Sequence, residues 1–171
     1  LGASAYRTRV AECQSAVAAL RRDFPAIHSL RDATPAQVEK TEMPAVVRRR
    51  ARHIVTENQR VERFVQAAAD QDPVAMGALF AESHRSMRDD YEISCDEIDF
   101  LVSAAMETEG CYGARMTGGG FGGCTVNLVE ARAVPSFRQT MRQRYQSRFG
   151  IEPVSFQCIP GAGAGEIHKI S

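Results

Sequence analysis

A glycine-rich segment is the part of this sequence best suited to binding chemistry. Residues 117–123 read TGGGFGG, so five glycines fall within six positions. Glycine loses more chain entropy on folding than any other residue, so such a run persists where the backbone needs a positive φ or a very close neighbour. Its unobstructed N–H groups suit a phosphate or another anion. A tight loop packed against a neighbouring element predicts the same composition, and both interpretations stay open.

Two named phosphate-binding motifs can be tested against this segment. Gly118, Gly120 and Gly123 have the spacing of the dinucleotide fingerprint, which requires a following helix and an acidic residue about 20 positions later. A strand is predicted after Gly123, and residues 137–143 contain no acid, so that motif is excluded. A P-loop requires Gly-Lys-Ser/Thr, whereas this segment ends in Gly-Gly-Cys-Thr, so that motif is excluded as well.

Other polar residues carry weaker signals. Arg115 lies two residues before the glycine segment, where it is expected to face either a phosphate or a local carboxylate. His84 flanks an apolar helix face, which predicts a hydrogen-bonded, half-buried histidine rather than a catalytic one. Asp89 and Asp90 are adjacent, so on a helix their carboxylates diverge and no metal site is predicted. The arginines of residues 48–52 are expected to form a solvated helix face.

Apolar spacing and helix caps predict that the first part of the chain, which contains His84, Asp89 and Asp90, is largely helical. Thr34 and Asp72 each precede a proline, which predicts two helix starts, and Ser94 with Glu97 has capping-box spacing. The longest helix is expected to bury a stripe made of Val47, Ile54, Val61 and Ala68, with Phe64 and Val65 alongside. The predicted helices cover residues 4–24, 35–40, about 44–70, from 73 onward and from 94 to about 109.

The pattern changes at Gly110. Alternating apolar residues predict strands over residues 112–116, 124–129 and 154–158, and a helix over 134–149 separates the last two. Residues 161–165, rich in glycine, are expected to be a flexible tail. Residues 1–171 therefore form one α+β region, mainly helical over 1–109, then strand, glycine loop, strand, helix and strand over 110–171, with helices covering a small, mainly antiparallel sheet.

Composition excludes several classes of protein. The 171 residues are 44% hydrophobic with 21 basic and 21 acidic residues, which argues against disorder and against a nucleic-acid partner. No apolar run approaches the 18 or so residues that a membrane-spanning helix needs. The five cysteines are unpaired in spacing, which predicts reduced thiols in the cytoplasm rather than disulfides or zinc. The chain begins without Met or a signal-peptide pattern, and we expect it to be cut from something longer.

Four stretches together resemble one family. Residues 113–124 (GARMTGGGFGGC) are similar to the third signature of the GHMP small-molecule kinases, in the form that galactokinases carry. Residues 82–94 (ESHRSMRDDYEIS) and 52–58 (RHIVTEN) resemble two galactokinase helices. Residues 4–9 with Cys13 resemble the segment SEYxxRRxxC, with Ala5 where glutamate is usual. The order and spacing agree, and the resemblance covers essentially the whole chain.

This resemblance implies the C-terminal part of a galactokinase, which phosphorylates galactose with ATP and Mg²⁺ to give galactose 1-phosphate and ADP. The family's catalytic residues would lie in the N-terminal half of the enzyme, its partner here, so this chain is expected to hold none of them, no metal ligand and no activity alone. A non-catalytic sugar and nucleotide sensor is the alternative. Tyr6 matches the galactose-contacting tyrosine, and the phosphate-side residues would be Arg115, Thr117, Gly118, Gly119, Gly120, Phe121, Gly122 and Gly123.

Overall fold

The computed structural model describes residues 2–159 and residue 161. Helices fill the chain up to residue 106, and a two-stranded sheet with one more helix follows. Two short 3-10 turns, Leu30–Asp32 and Ala131–Ala133, lie between these elements. The helices are α1 Gly2–Asp23, α2 Pro35–Lys40, α3 Ala45–Ala69, α4 Pro73–Asp89, α5 Asp96–Met106 and α6 Val134–Phe149, and the strands are β1 Cys111–Thr117 and β2 Cys124–Val129.

Two of the three predicted helix caps are confirmed. The Thr34 hydroxyl accepts the Gln37 N–H at 3.3 Å, and the Asp72 carboxylate accepts the N–H groups of Val74 and Ala75 at 3.1 and 2.9 Å. These bonds satisfy amides that have no partner within the first turn of a helix. The cap predicted at Ser94 is wrong. α5 begins one residue later, and the Ser94 hydroxyl instead donates to the Asp99 carboxylate at 2.5 Å.

The apolar stripe predicted for α3 is only partly correct. Val47 and Ile54 pack against the core, but Val61 and Val65 are 57% and 63% exposed. The fully buried apolar residues of the first half of α3 are instead Ala51 and Val55, which face α1. α3 extends beyond the helices that cover its first half, so periodicity alone overstates how much of its apolar face is buried.

Three groups of buried side chains hold the elements together. One joins α1, the first 3-10 turn, α2 and the first half of α3, and a second joins α5, β1 and α6. The third lies beside the glycine segment. It contains Met87, Ile93, Ile98 and Met116, with Tyr91, Cys95 and Phe121 packed against them.

The sheet is one antiparallel hairpin. β1 pairs with β2 in a register that places Thr117 opposite Cys124 and Cys111 opposite Val129, with an irregularity between Cys111 and Gly113. The glycine segment, residues 118–123, is the connection between the two strands. Helices with a small antiparallel sheet confirm the α+β prediction.

The third predicted strand is wrong. Residues 151–159 form no regular structure, and Val154, Phe156 and Ile159 are 81%, 84% and 83% exposed. The segment is held to α6 by side chains, with Arg138 donating to Ser155 at 3.1 Å and Arg142 pairing with Glu152 at 2.7 Å. A strand requires a ladder of backbone hydrogen bonds, and residues 151–159 form none. Beyond Gly161, the tail predicted to be flexible lies outside the described residues.

Within the described part of the chain, no helix is both long enough and apolar enough to cross a membrane.

Two glycines let α4 lie directly against β1. An added Cβ at Gly77 would stand 1.9 Å from the carbonyl oxygen of Tyr112, and one at Gly113 would stand 2.2 Å from the carbonyl oxygen of Gly77. Neither position tolerates a side chain without separating the helix from the strand. This close approach positions β1, and with it the start of the glycine segment.

We therefore expect Gly77→Ala to lower the free energy of unfolding by more than about 3 kcal/mol, because backbone atoms must move to admit the methyl group. Urea denaturation of the chain measures it. Gly119→Ala is the control, since no atom lies within 4 Å of its added Cβ. A loss at Gly77 no larger than at Gly119 would contradict the close packing of α4 on β1.

Candidate functional site

The glycine loop, residues 118–123, has one open side and one braced side. Gly118, Gly119 and Gly122 have no atom within 4 Å of an added Cβ, whereas a Cβ on Gly120 would lie 2.8 Å from the Cβ of Ile93. Close packing is therefore confirmed at Gly120, while contact with a phosphate or another anion stays a prediction for the open positions. Five of the six positions, all but Gly119, have a positive φ between 61° and 123°.

Phe121 anchors the braced side. Its N–H donates to the carbonyl oxygen of Ile93 at 2.6 Å, and its ring packs into the core group that contains Ile93 and Met116. Its φ is 61°, a left-handed conformation that a residue with a side chain seldom adopts. Phe121 therefore holds the loop to the segment that connects α4 to α5.

That connecting segment, residues 90–93, also contacts α1 and α3. The Arg9 guanidinium of α1 donates to the carbonyl oxygens of Tyr91 and Glu92 at 2.7 and 3.1 Å. The Tyr91 ring stacks on His53 of α3 with centroids 4.5 Å apart. Burial lowers the pKa of His53 to about 4, so the stacked imidazole is neutral near pH 7.

Tyr6 lies on α1 one turn before Arg9 and is 62% exposed. Burial raises the pKa of the Tyr91 phenol, whose oxygen lies 3.7 Å from the Cys13 sulfur of α1. α1 and the glycine loop thus meet at the same segment, residues 90–93. The Tyr6 phenol is therefore not part of the core, and its contact with a sugar stays a prediction.

A buried arginine completes this junction and corrects one prediction. Arg50 is only 2% exposed, so residues 48–52 are not a uniformly solvated helix face. Its guanidinium donates to Glu12, to the carbonyl oxygen of Asp90 and to Glu92, at 2.9, 2.6 and 2.8 Å. These partners come from other elements, so the sequence around Arg50 gives no sign of them. Arg49 adds a second ion pair to Glu92 at 2.7 Å.

Of the two partners predicted for Arg115, a phosphate or a local carboxylate, the structure shows a carboxylate, that of Glu57. Its Nη1 lies 3.2 Å from Glu57 and 3.0 Å from the Ser83 hydroxyl, and its guanidinium lies over the Phe80 ring. Burial opposes ionisation of Glu57, yet hydrogen bonds from Ser83 and Arg60 hold the pKa of its carboxyl below the ordinary value. Sequence analysis missed Glu57 as a partner, although it lies within residues 52–58, which carried part of the family resemblance.

His84 holds the end of β1 rather than facing the loop opening. It is 4% exposed, its Nδ1 accepts the Met116 N–H at 3.4 Å, and its Nε2 lies 3.2 Å from Oδ1 of Asp99. Burial lowers the pKa of this imidazole. The prediction that His84 is hydrogen-bonded is confirmed, but its side chain is buried rather than half-buried.

The two adjacent aspartates point to different partners. Asp89 pairs with Arg88 at 2.7 Å, while Asp90 accepts from Ser86 at 3.1 Å and lies 3.3 Å from Arg52. Across residues 2–159 and 161, no group of three or more histidine, cysteine, aspartate or glutamate side chains is arranged to hold a metal ion.

Known proteins match both this sequence and this fold. Residues 64–147 match the model of the GHMP kinase C-terminal domain. The galactokinase of Roseiflexus sp. is 44% identical over 169 residues, covering 98% of this chain and 43% of the relative. The galactokinase of Bos taurus is 45% identical over 147 residues, covering 85% of this chain and 36% of the relative.

A solved structure agrees with these relatives. The crystal structure of Lactococcus lactis galactokinase complexed with galactose superposes with a TM-score of 0.82 at 34% identity, covering 87% of this chain and 39% of that one. Residues 64–147 of the chain thus carry a GHMP kinase C-terminal domain. The chain's matches are the C-terminal parts of galactokinases, as the sequence resemblance implied. The chain spans less than half the length of the curated relatives it matches.

The ion pairs of Glu92 predict a specific dependence of stability on pH. Hydrogen bonds and charges from Arg50 and Arg49 lower its pKa from an ordinary 4.5 to about 2. Its carboxylate therefore stabilises the fold fully above about pH 4.5, and this contribution is lost as pH falls towards 2. We expect Glu92→Gln to cost about 1 kcal/mol at pH 6 and clearly less at pH 3.

Urea denaturation of the chain across this pH range measures the difference. Glu82→Gln is the matched control, because Glu82 pairs with Arg63 at 3.1 Å and is about as exposed as Glu92. We expect its cost to stay below about 0.5 kcal/mol throughout. A cost of Glu92→Gln that is the same at pH 6 and pH 3 would argue against the ion pairs.

Proposed function

We propose that this chain supplies the C-terminal part of a galactokinase, an enzyme that transfers the terminal phosphoryl group of ATP to galactose and forms galactose 1-phosphate and ADP. The observation that carries the proposal is the match of 98% of the chain to a galactokinase at 44% identity. The structural neighbour was solved as a complex with galactose. The N-terminal part of the same enzyme is the proposed partner.

The glycine loop is the proposed phosphate-side wall. Its open positions, Gly118, Gly119 and Gly122, leave backbone atoms accessible where any side chain would intervene. Backbone N–H groups without side chains suit the oxygens of a phosphate chain. ATP supplies the transferred phosphoryl group when bound, and Mg²⁺ balances its charge. No Mg²⁺ ligand is assigned to the described residues.

Tyr6 is the proposed galactose contact. An exposed phenol combines a flat apolar face, suited to a sugar ring, with one directional O–H group for a sugar hydroxyl. Arg115 and Thr117 border the loop on β1. We assign Arg115 a supporting role on the phosphate side, because Glu57 and Ser83 already hold its guanidinium. The catalytic groups would belong to the N-terminal part.

The sensor alternative is not favoured, because the named relatives are galactokinases. We propose the cytoplasm as the location, since all five cysteines are free thiols and reduced thiols persist in that compartment.

Release of ADP with galactose and ATP tests the proposed function. The chain is assayed alone, mixed with the N-terminal part of the Roseiflexus galactokinase, and fused to it in place of the native C-terminal part. We expect no turnover from the chain alone and galactose-dependent turnover from the fusion. Turnover by the chain alone would contradict the placement of the catalytic groups, and binding without turnover in the fusion would support the sensor.

Gly119→Val separates ligand contact from bracing. Gly119 has open space and no positive φ, so we expect the valine to change the free energy of unfolding by less than about 0.5 kcal/mol. In the fusion it should weaken nucleotide binding by about tenfold or more, since the side chain would cover the loop amides. Calorimetric titration with ATP measures the affinity.

Gly120→Val is the matched variant on the braced side. It should lower stability, because its side chain would strike Ile93 and its φ is 82°. Unchanged nucleotide affinity in a well-folded Gly119→Val variant would remove the loop from the nucleotide site.

A further inference from the structure

Two arginines from different helices hold three consecutive backbone carbonyls. Arg50 of α3 donates to the carbonyl oxygen of Asp90 at 2.6 Å. Arg9 of α1 donates to the next two, of Tyr91 and Glu92, at 2.7 and 3.1 Å. A planar guanidinium presents its donors in fixed directions. These bonds therefore fix the position of residues 90–92, which a non-directional charge attraction would not do.

Two carboxylates fix the arginines in turn. Oε2 of Glu12 accepts from both Arg9 and Arg50, at 2.8 and 2.9 Å, and Oε2 of Glu92 accepts from Arg50 at 2.8 Å. Each nitrogen of the Arg50 guanidinium therefore has a partner. A buried guanidinium is costly to leave unpaired, so this arrangement resists displacement. We call these four residues the arginine clamp.

The clamp is linked to the glycine loop through a single residue, Ile93, which follows Glu92 in the chain and contacts the loop. Glu92 has a φ of 53°, a left-handed conformation that a glutamate adopts only when its surroundings impose it. The turn at Glu92 presents the next carbonyl, that of Ile93, to the Phe121 N–H at 2.6 Å. It also presents the Ile93 side chain to Gly120, where an added Cβ would meet it at 2.8 Å. The position of residues 90–93 thus sets the position of the loop.

On the other side the clamp reaches the helix that carries Tyr6. Arg9 and Glu12 lie one and two turns after Tyr6 on α1. We propose that the arginine clamp is a positioning device that sets the distance between the Tyr6 helix and the glycine loop. The inference rests on the proposed function, in which Tyr6 faces galactose and the loop faces the phosphates.

No clamp residue is among the proposed ligand contacts, so the clamp is expected to act on alignment rather than on binding. A weakened clamp leaves each half-site intact, and each substrate still binds. The transferred phosphoryl group and the accepting hydroxyl must be aligned within a fraction of an ångström, and a 1 Å displacement can cost about a hundredfold in rate. The expected signature is therefore a lower kcat with nearly unchanged KM values.

The kinetic test uses Glu92→Gln and Arg50→Lys in the fusion with the N-terminal part of the Roseiflexus galactokinase. We expect kcat per folded molecule to fall about tenfold or more, while KM for galactose and KM for ATP each stay within about threefold. Glu82→Gln, the exposed ion-pair control, should leave all three values unchanged. A fall in folded protein alone, with normal kcat per folded molecule, would overturn the proposal and leave the clamp a stabilising element only.

A second readout does not depend on activity. Amide hydrogen exchange in the chain itself reports whether the clamp holds the loop. We expect Glu92→Gln to speed exchange of the Phe121 N–H at least about tenfold at pH 6, and exchange of the β1 amides by no more than the roughly fivefold that a global loss of about 1 kcal/mol gives. Unchanged protection of Phe121 would overturn the proposal. If the unmodified fusion has no activity, the proposed function fails, and the exchange result still decides whether the clamp controls the loop.

Discussion

The need to pair one buried positive charge organises this molecule. Arg50 is enclosed among α1, α3 and residues 90–92, and a guanidinium in that position is tolerable only when each of its nitrogens has a partner. Its partners come from positions 12, 90 and 92, so satisfying it brings distant parts of the chain to one point. Residues 90–93, to which both α1 and the glycine loop are bonded, take their position from that requirement.

The division of the glycine loop into two sides is a consequence. Ile93, held next to the clamp, supplies both the carbonyl that receives the Phe121 N–H and the side chain that excludes a Cβ at Gly120. The opposite positions, Gly118 and Gly119, meet nothing. One glycine run therefore serves two physical demands. Close packing fixes the shape of the loop, and the absence of side chains leaves its other side accessible.

Local signals in the sequence were sufficient for most elements, and long-range pairing was not. The Asp72-Pro73 start, the hairpin around the glycines and α6 are visible in short stretches, because caps, turns and periodicity act between near neighbours. The burial of Arg50 depends on residues about 40 positions away. The strand expected at Val154 and Phe156 failed for the same reason, since alternation predicts a strand only when an edge is present to pair with it.

In the candidate site, too, the features set by nearby residues are predictable from the sequence and those set by distant residues are not. The glycine segment and Tyr6 were identified from residue types and family resemblance, but nothing local indicated that they share a support. Arg115 is an example of a residue whose long-range partners are not visible in the local sequence. A cation next to a phosphate-binding loop suggests a phosphate ligand, yet Glu57 and Ser83 occupy its guanidinium and Phe80 lies beneath it. Its guanidinium instead joins β1 to α3 and α4. In this chain, therefore, backbone amides rather than an unpaired cation are the groups that the loop itself can offer to an anion.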